Sequence, residues 1–210
     1  MQIDRAGAPF IAGALVPAAA LTMLKRPGWA LPFAALAGFL AFFFRDPDRV
    51  TPVDPDAVIA PADGRVIVAG APEAEGAPPG CWRQISIFLS PLDVHINRSP
   101  VAARTVRVDY RPGRYLPAYK AGAGVENERN EIWLDRDGEP VVCRQITGVL
   151  VRRVVCRLNA GDRVQAGERL GLMKFGSRFD VFLPERADVL VRVGEHVRAG
   201  ETIVARLSRL

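Results

Sequence analysis

The first 45 residues constrain this chain more than anything that follows, because their only charges are Asp4, Arg5, Lys25, Arg26 and Arg45. Two uncharged apolar runs lie between them, Phe10 to Leu24 and Gly28 to Phe44, of 15 and 17 residues. An upright helix needs about 20 residues to cross the hydrocarbon core. Both runs fall just short, so spanning requires local thinning, snorkelling or help from flanking residues. Neither run has a polar face, which argues against a buried soluble hairpin and for attachment to a membrane. The second run ends in Phe42, Phe43, Phe44 and Arg45 rather than in a small-residue cleavage site, so the segment reads as retained. If both runs cross, the two termini share a side, and Arg45 with Arg49 favours the cytoplasm for the larger part. Lys25 and Arg26 pull the other way, and a hairpin dipping into one leaflet would keep all these charges on one face. The expectation is a membrane-anchoring helical hairpin over residues 1–45, at the cell membrane, with the rest on the cytoplasmic side.

From Asp46 the texture changes. Pro47, Pro52, Pro55 and Pro61 break any helix, and short β-branched runs separated by Gly, Pro and Asp take over. Residues 46–210 read as one β-rich domain, with strands expected at Ala57 to Ala60, Arg65 to Ala69, Trp82 to Leu89, Ala103 to Tyr110, Asn130 to Leu134, Pro140 to Arg144 and Gly148 to Leu158. The 28 basic against 23 acidic residues suit an anionic partner such as phospholipid headgroups. The basic residues are scattered without aromatic interleaving, which argues against nucleic acid. Three widely spaced cysteines and two histidines offer neither a disulfide framework nor a metal-ligand spacing.

The C-terminal part carries an internal repeat at an offset of 33 residues. Gly161 to Leu170 and Gly194 to Ile203 share Gly, Val and Ala-Gly-Glu at the same places. Each copy reads as a short strand, a Gly-bearing turn and a second strand, and two such units closing on each other make a small β-sandwich. With Met173-Lys174-Phe175 between them, the arrangement resembles the barrel-sandwich hybrid of biotinyl and lipoyl carrier domains, where a hairpin lysine takes the cofactor. By that resemblance Lys174 is the alternative functional residue, in a membrane-anchored carrier or adaptor.

Three further blocks occur in order: Phe44-Arg-Asp-Pro47 leading to Ala60-Pro-Ala-Asp-Gly-Arg65, then Phe88-Leu-Ser-Pro-Leu-Asp-Val-His-Ile-Asn-Arg98, then Lys174-Phe-Gly-Ser177. Together with Asn127-Glu-Arg129 they make the chain resemble the phosphatidylserine decarboxylase proenzymes, in their short, archaeal-type subfamily, from about Arg45 to Leu210. The resemblance implies self-cleavage between Gly176 and Ser177 into a large chain, 1–176, and a small chain, 177–210, which stay together as a heterodimer and form a homo-oligomer of that unit. It implies a pyruvoyl group made from Ser177 in place of pyridoxal phosphate, no metal, and decarboxylation of phosphatidylserine to phosphatidylethanolamine. Loss of carbon dioxide leaves a carbanion that no ordinary side chain can delocalise, so an electrophilic carbonyl is required.

A serine hydroxyl is a poor nucleophile until a base takes its proton, and a histidine oriented by a carboxylate does this. His95 and Asp63 are the candidates, with His95 also the proton donor in decarboxylation. Alone, His95 reads as an exposed loop residue after Asp93; the block around it assigns it a role. Longer family members carry a second histidine three residues on, where this chain has Arg98, so His95 serves both steps or leaves one to another group. His196, in the repeat turn, reads as surface. Tyr115, Lys120 and Arg129 are candidates for substrate contact.

Overall fold

A computed structural model describes residues 2–73, 76–120, 122–149, 154–174 and 176–208. Phe175 of the Met-Lys-Phe tripeptide and residues 150–153 of the strand expected at 148–158 lie outside this set. The chain forms two compact units, Met1–Asp48 and Arg49–Leu210.

In the first unit, α1 (Ala8–Met23) and α2 (Pro27–Phe43) pack on each other. Small side chains make the close approach possible: Ala14, Ala18, Ala30 and Ala37 are buried. Leu15, Val16, Trp29, Leu31 and Leu36 are exposed, so the pair is apolar outside as well as inside. A 3-10 turn, Arg5–Gly7, precedes α1 and is capped by Asp4, whose Oδ1 accepts from the Ala6 N–H at 2.9 Å. This turn lengthens the first helical stretch beyond the uncharged run. Arg5–Met23 covers 19 residues, long and apolar enough to cross a membrane, while Pro27–Phe43 is shorter. The strands β1 (Gln2–Ile3) and β2 (Arg45–Asp46) pair antiparallel, bringing the two ends of the unit to one place.

The second unit is mainly β. Its strands are β3 (Ala57–Ile59), β4 (Gly64–Gly70), β5 (Trp82–Leu89), β6 (Ile96–Arg98), β7 (Ala103–Arg111), β8 (Arg129–Arg136), β9 (Glu139–Ile146), β10 (Val154–Cys156), β11 (Arg163–Val164), β12 (Arg169–Met173), β13 (Ser177–Pro184), β14 (Asp188–Val189), β15 (His196–Val197) and β16 (Ile203–Arg206). One short helix, α3 (Ala123–Glu126), precedes β8. A curled eight-stranded sheet runs β11-β7-β8-β9-β13-β5-β4-β15, and two three-stranded sheets run β10-β12-β6 and β14-β16-β3.

The order of the large sheet reads the same from either edge. Strands β9 and β13 lie at its centre, flanked by β8 and β5, then β7 and β4, then β11 and β15. Each three-stranded sheet places the second strand of one repeat, β12 or β16, in its middle. The repeat turns are held alike. The Gly161 N–H donates to Thr105 O and the Gly194 N–H to Val66 O, both at 2.8 Å, with φ of +96° and +97° at the two glycines. A side chain would be strained there, which explains why the repeat keeps both glycines. One pseudo-symmetric half is therefore β6 to β12. The other is assembled from both ends of the unit, β3 to β5 and β13 to β16. The chain crosses between halves over Ser90–His95 and again between the end of β12 and the start of β13.

Alternation decides the layers. Ile85, Ile87 and Leu89 on β5, Ile132 and Leu134 on β8, Val141 and Cys143 on β9, and Phe179, Val181 and Leu183 on β13 all join one buried core with Val58, Leu170, Met173 and Val204 of the small sheets. The opposite face of the large sheet carries Gln84, Ser86, Glu131, Arg144, Arg178 and Asp180, also buried, beside a small cluster of Trp82, Val142 and Phe182.

Candidate active site

The two crossovers meet because the strands on either side of them are paired. Before its crossover β5 pairs with β13, with Leu89 opposite Ser177. After it β6 pairs with β12, with Ile96 opposite Leu172. The Met173 N–H donates to the His95 carbonyl at 3.1 Å, so His95 lies against the end of β12. No feature local to either segment specifies this meeting; it follows from two ladders lying in two different sheets.

His95 is fully buried, which corrects its reading as an exposed loop residue. Its Nδ1 lies 2.9 Å from the carbonyl of Asp93. A carbonyl can only accept, so Nδ1 carries the proton and Nε2 is left as an acceptor. Nε2 accepts from the Gly176 N–H at 3.4 Å. Gly176 has φ of +66°, in the left-handed region that a glycine enters without steric cost.

Ser177 opens β13 and lies on the same face as Phe179 and Val181, toward the core. It is fully buried, and among the described residues its Oγ has no hydrogen-bond partner. Leaving a buried hydroxyl unpaired costs on the order of 1–3 kcal/mol. The next side chain turns to the opposite face. Arg178 Nε donates to Asp180 Oδ1 at 2.6 Å, and its terminal nitrogens reach Glu73 Oε2 at 2.5 Å and Ser86 Oγ at 3.0 Å. Burial works against the Arg178 charge, but Asp180 and then Glu73 outweigh it and push its pKa up. The side chain after the serine is thus anchored, while the serine hydroxyl has no partner among the described residues.

Asp63 has its carboxylate occupied elsewhere: Oδ1 accepts from the Ala199 N–H at 2.7 Å and Oδ2 from Arg49 at 2.8 Å. Its turn nevertheless brackets the crossover that carries His95. Pro61 O accepts from the Arg98 N–H at 2.8 Å, and Gly64 lies so close to the Phe88 carbonyl that a Cβ there would fall within 3.0 Å of it. The carboxylate near His95 along the chain is Asp93. Its Oδ2 accepts from the Ser90 N–H at 2.8 Å, and its Oδ1 lies 3.2 Å from Nε2 of the exposed His196.

Of the three residues expected to contact substrate, Lys120 is exposed, and the exposed Tyr115 donates from its hydroxyl to Glu128 Oε2 at 2.6 Å. Arg129 is half-buried and donates to the Val125 and Asn127 carbonyls, with its Nε unpartnered. Burial, followed by the nearby Arg144, lowers its pKa. Asn127 is spent on structure: Nδ2 donates to Leu116 O and Thr147 O, both at 2.8 Å, and Oδ1 accepts from the Leu116 N–H at 2.9 Å. Sequence reasoning passed over Gly148, which follows Thr147 and lies against the Gly176 carbonyl. A glycine inside an expected strand gives no local sign of such a neighbour. Among the described residues no group of three or more His, Cys, Asp and Glu gathers to hold a metal ion.

Similarity to known proteins sets the class first: the chain is an enzyme of the decarboxylase type. Residues 36–205 match the family model described as phosphatidylserine decarboxylase, and the chain belongs to that family. The phosphatidylserine decarboxylase proenzyme of Nitrosomonas europaea is 41% identical over 204 residues, covering 97% of this chain and 94% of the relative. Those of Beijerinckia indica and Paramagnetospirillum magneticum are each 44% identical, over 95% and 98% of this chain and 87% of the relative in both cases.

Proposed function

We propose that this chain is a proenzyme that cuts its own backbone between Gly176 and Ser177 and then decarboxylates phosphatidylserine to phosphatidylethanolamine. The observation that carries the proposal is the partnerless, fully buried Ser177 Oγ behind a left-handed glycine whose N–H rests on His95 Nε2. A buried hydroxyl left without a partner, on the residue after the glycine whose N–H rests on an unprotonated imidazole nitrogen, is a candidate for nucleophilic use.

The first step is an N-to-O acyl shift. Oγ bonds to the Gly176 carbonyl carbon, the peptide C–N bond breaks, and the hydroxyl proton passes by way of His95 to the leaving nitrogen. The second is elimination. A base removes the Ser177 Cα proton, the Cβ–O bond breaks, and Gly176 leaves as a carboxylate. The dehydroalanine left on the small chain takes up water and loses ammonia, which gives the pyruvoyl group. These residues fit that group, since its precursor hydroxyl is a buried atom that, among the described residues, no hydrogen bond uses. When formed, it supplies a carbonyl that accepts the electrons released with carbon dioxide.

Asp63 enters this scheme by holding its turn against both flanks of the His95 crossover. The Asp93 carbonyl fixes the His95 tautomer, and His95, once its Nε2 has taken up a proton from solvent, delivers that proton to the product carbon. Ser177 and His95 are both fully buried in the uncut chain, and in this reading the cut is what opens them to the lipid. The small chain stays bound because β13 lies between β5 and β9, β15 pairs with β4 and β16 with β3. We place the apolar hairpin in the cell membrane, where its exposed apolar side chains are solvated by lipid, with the β unit on the cytoplasmic side and assembled as a homo-oligomer. Tyr115, Lys120 and Arg129 are proposed to contact the headgroup, Arg129 through its unpartnered Nε.

Denaturing mass spectrometry of the purified protein tests the proposal. The expected result is two fragments divided at Gly176/Ser177, the smaller with a blocked amino end, and one uncut, inactive chain for Ser177→Ala. A single unmodified wild-type chain, a lysine adduct at Lys174, or cutting that persists in Ser177→Ala overturns it.

A further inference from the structure

Gly176 is held from two sides, through the N–H of the peptide before it and the carbonyl of the peptide it shares with Ser177. Its N–H rests on His95, and its carbonyl oxygen lies against Gly148. A Cβ built on Gly148 would fall within 3.0 Å of that oxygen, 3.2 Å from the carbonyl carbon and 3.5 Å from Ala118 Cβ. Gly148 itself is not in the left-handed region. Its lack of a side chain is therefore demanded by space and not by its own backbone.

Gly148 is held in place by the residue before it. The Thr147 N–H and Oγ1 both donate to Glu128 O at 3.0 Å, and Thr147 O accepts from Asn127 Nδ2 at 2.8 Å. Just upstream, Ile146 pairs with both Arg178 and Arg129. Every polar group of Thr147 is thus tied to the Asn127–Glu128 pair, and these residues are all buried.

We infer that Gly148, fixed through Thr147 by Asn127, is a positioning residue for self-cleavage: it sets where the Gly176 carbonyl lies relative to the Ser177 hydroxyl and leaves its oxygen room as the carbon becomes tetrahedral. The inference rests on the cut at Gly176/Ser177 proposed above. A methyl at 148 has to push the carbonyl aside by about 1 Å, and misplacement on that scale costs about 100-fold in rate.

The test follows the appearance of the 177–210 fragment over time from freshly made Gly148→Ala proenzyme, with and without hydroxylamine, a nucleophile that splits an ester and leaves a peptide intact. Formation about 100-fold slower than wild type is expected, with no extra fragment released by hydroxylamine, because the block precedes the ester. Asn127→Asp, which loses the donation to Thr147 O, is expected to slow the same step. Uncut Ser177→Ala is expected to stay folded when Gly148→Ala is added and to melt somewhat lower, because the methyl meets a backbone oxygen that has to shift. Maturation of Gly148→Ala at the wild-type rate, an ester that accumulates, or a Gly148→Ala chain that fails to fold each overturns the inference, since the methyl is claimed to disturb only that carbonyl. If instead wild type is never cut, or Ser177→Ala is cut, the self-cleavage reading fails whatever happens at 148.

Discussion

Replacing Asp180 with alanine should destabilise the β unit by about 3 kcal/mol, because it leaves the Arg178 guanidinium buried without its most deeply buried counter-charge. Arg178 is the largest fully buried side chain and Asp180 is 1% exposed, so water cannot take over when the carboxylate is lost. Breaking one partner of a buried pair costs about 3–5 kcal/mol. The lower end applies here, since Arg178 keeps Glu73 and Ser86. The assay is urea unfolding of the full chain in detergent, in an uncut Ser177→Ala background. Fluorescence reports the right face: Trp82 and Trp133 stack edge to face at 6.3 Å beside Phe182, on the side of the sheet that carries Arg178. With a urea slope of about 2–3 kcal/mol per molar, the midpoint should fall by roughly 1–1.5 M. Replacing both residues with apolar side chains, as in Arg178→Met with Asp180→Leu, should recover most of the loss, because a well-packed apolar pair avoids the desolvation cost. A midpoint unmoved in Asp180→Ala, or a double variant as unstable as the single, would refute the claim that an uncompensated buried charge sets the cost.

Two other outcomes can be checked on the same material. Glu131 is buried, which alone would raise its pKa, but Arg144 at 2.6 Å and the Trp133 indole outweigh burial and the net shift is downward. A carboxylate with a lowered folded pKa contributes stability that is present above its unfolded value of about 4.3 and is lost as pH falls through the folded value. The urea midpoint of the uncut chain should therefore drop on acidification below about pH 4, and Glu131→Gln should flatten that limb; an identical acid limb in the variant would count against the pairing. Cys81 is exposed, whereas Cys143 is fully buried, with its pKa pushed up by burial first and Cys156 second. A thiol reagent should label Cys81 in the native protein well before Cys143, and equal rates would contradict the packing.

The hydropathy of the first 45 residues fixed a helical pair, because a run without charges or a polar face cannot do otherwise. Strand β5 was legible to the residue, since Trp82 to Leu89 is bounded by turn residues and rich in β-formers. The strand expected over residues 148–158 was not: among the described residues only Val154–Cys156 is strand, and Gly148 stands apart from it. The β-branched run hid the fact that Gly148 serves as room for a distant carbonyl.

Ser177, Gly176 and His95 are singled out by the sequence blocks that carry the family resemblance, since a Gly-Ser pair or a lone histidine says little by itself. What tertiary structure alone decided is where they meet. The repeat is visible in sequence, but that its two halves share a sheet reading alike from both edges, with β9 and β13 at the centre, depends on which strands pair. Pairing between segments some 80 residues apart is set by how all the apolar faces can be buried at once, a condition no local window contains. That same condition turned Ser177 toward the core and Arg178 away from it, set the Asp63 carboxylate on Arg49 and Ala199, and brought Gly148 against the Gly176 carbonyl.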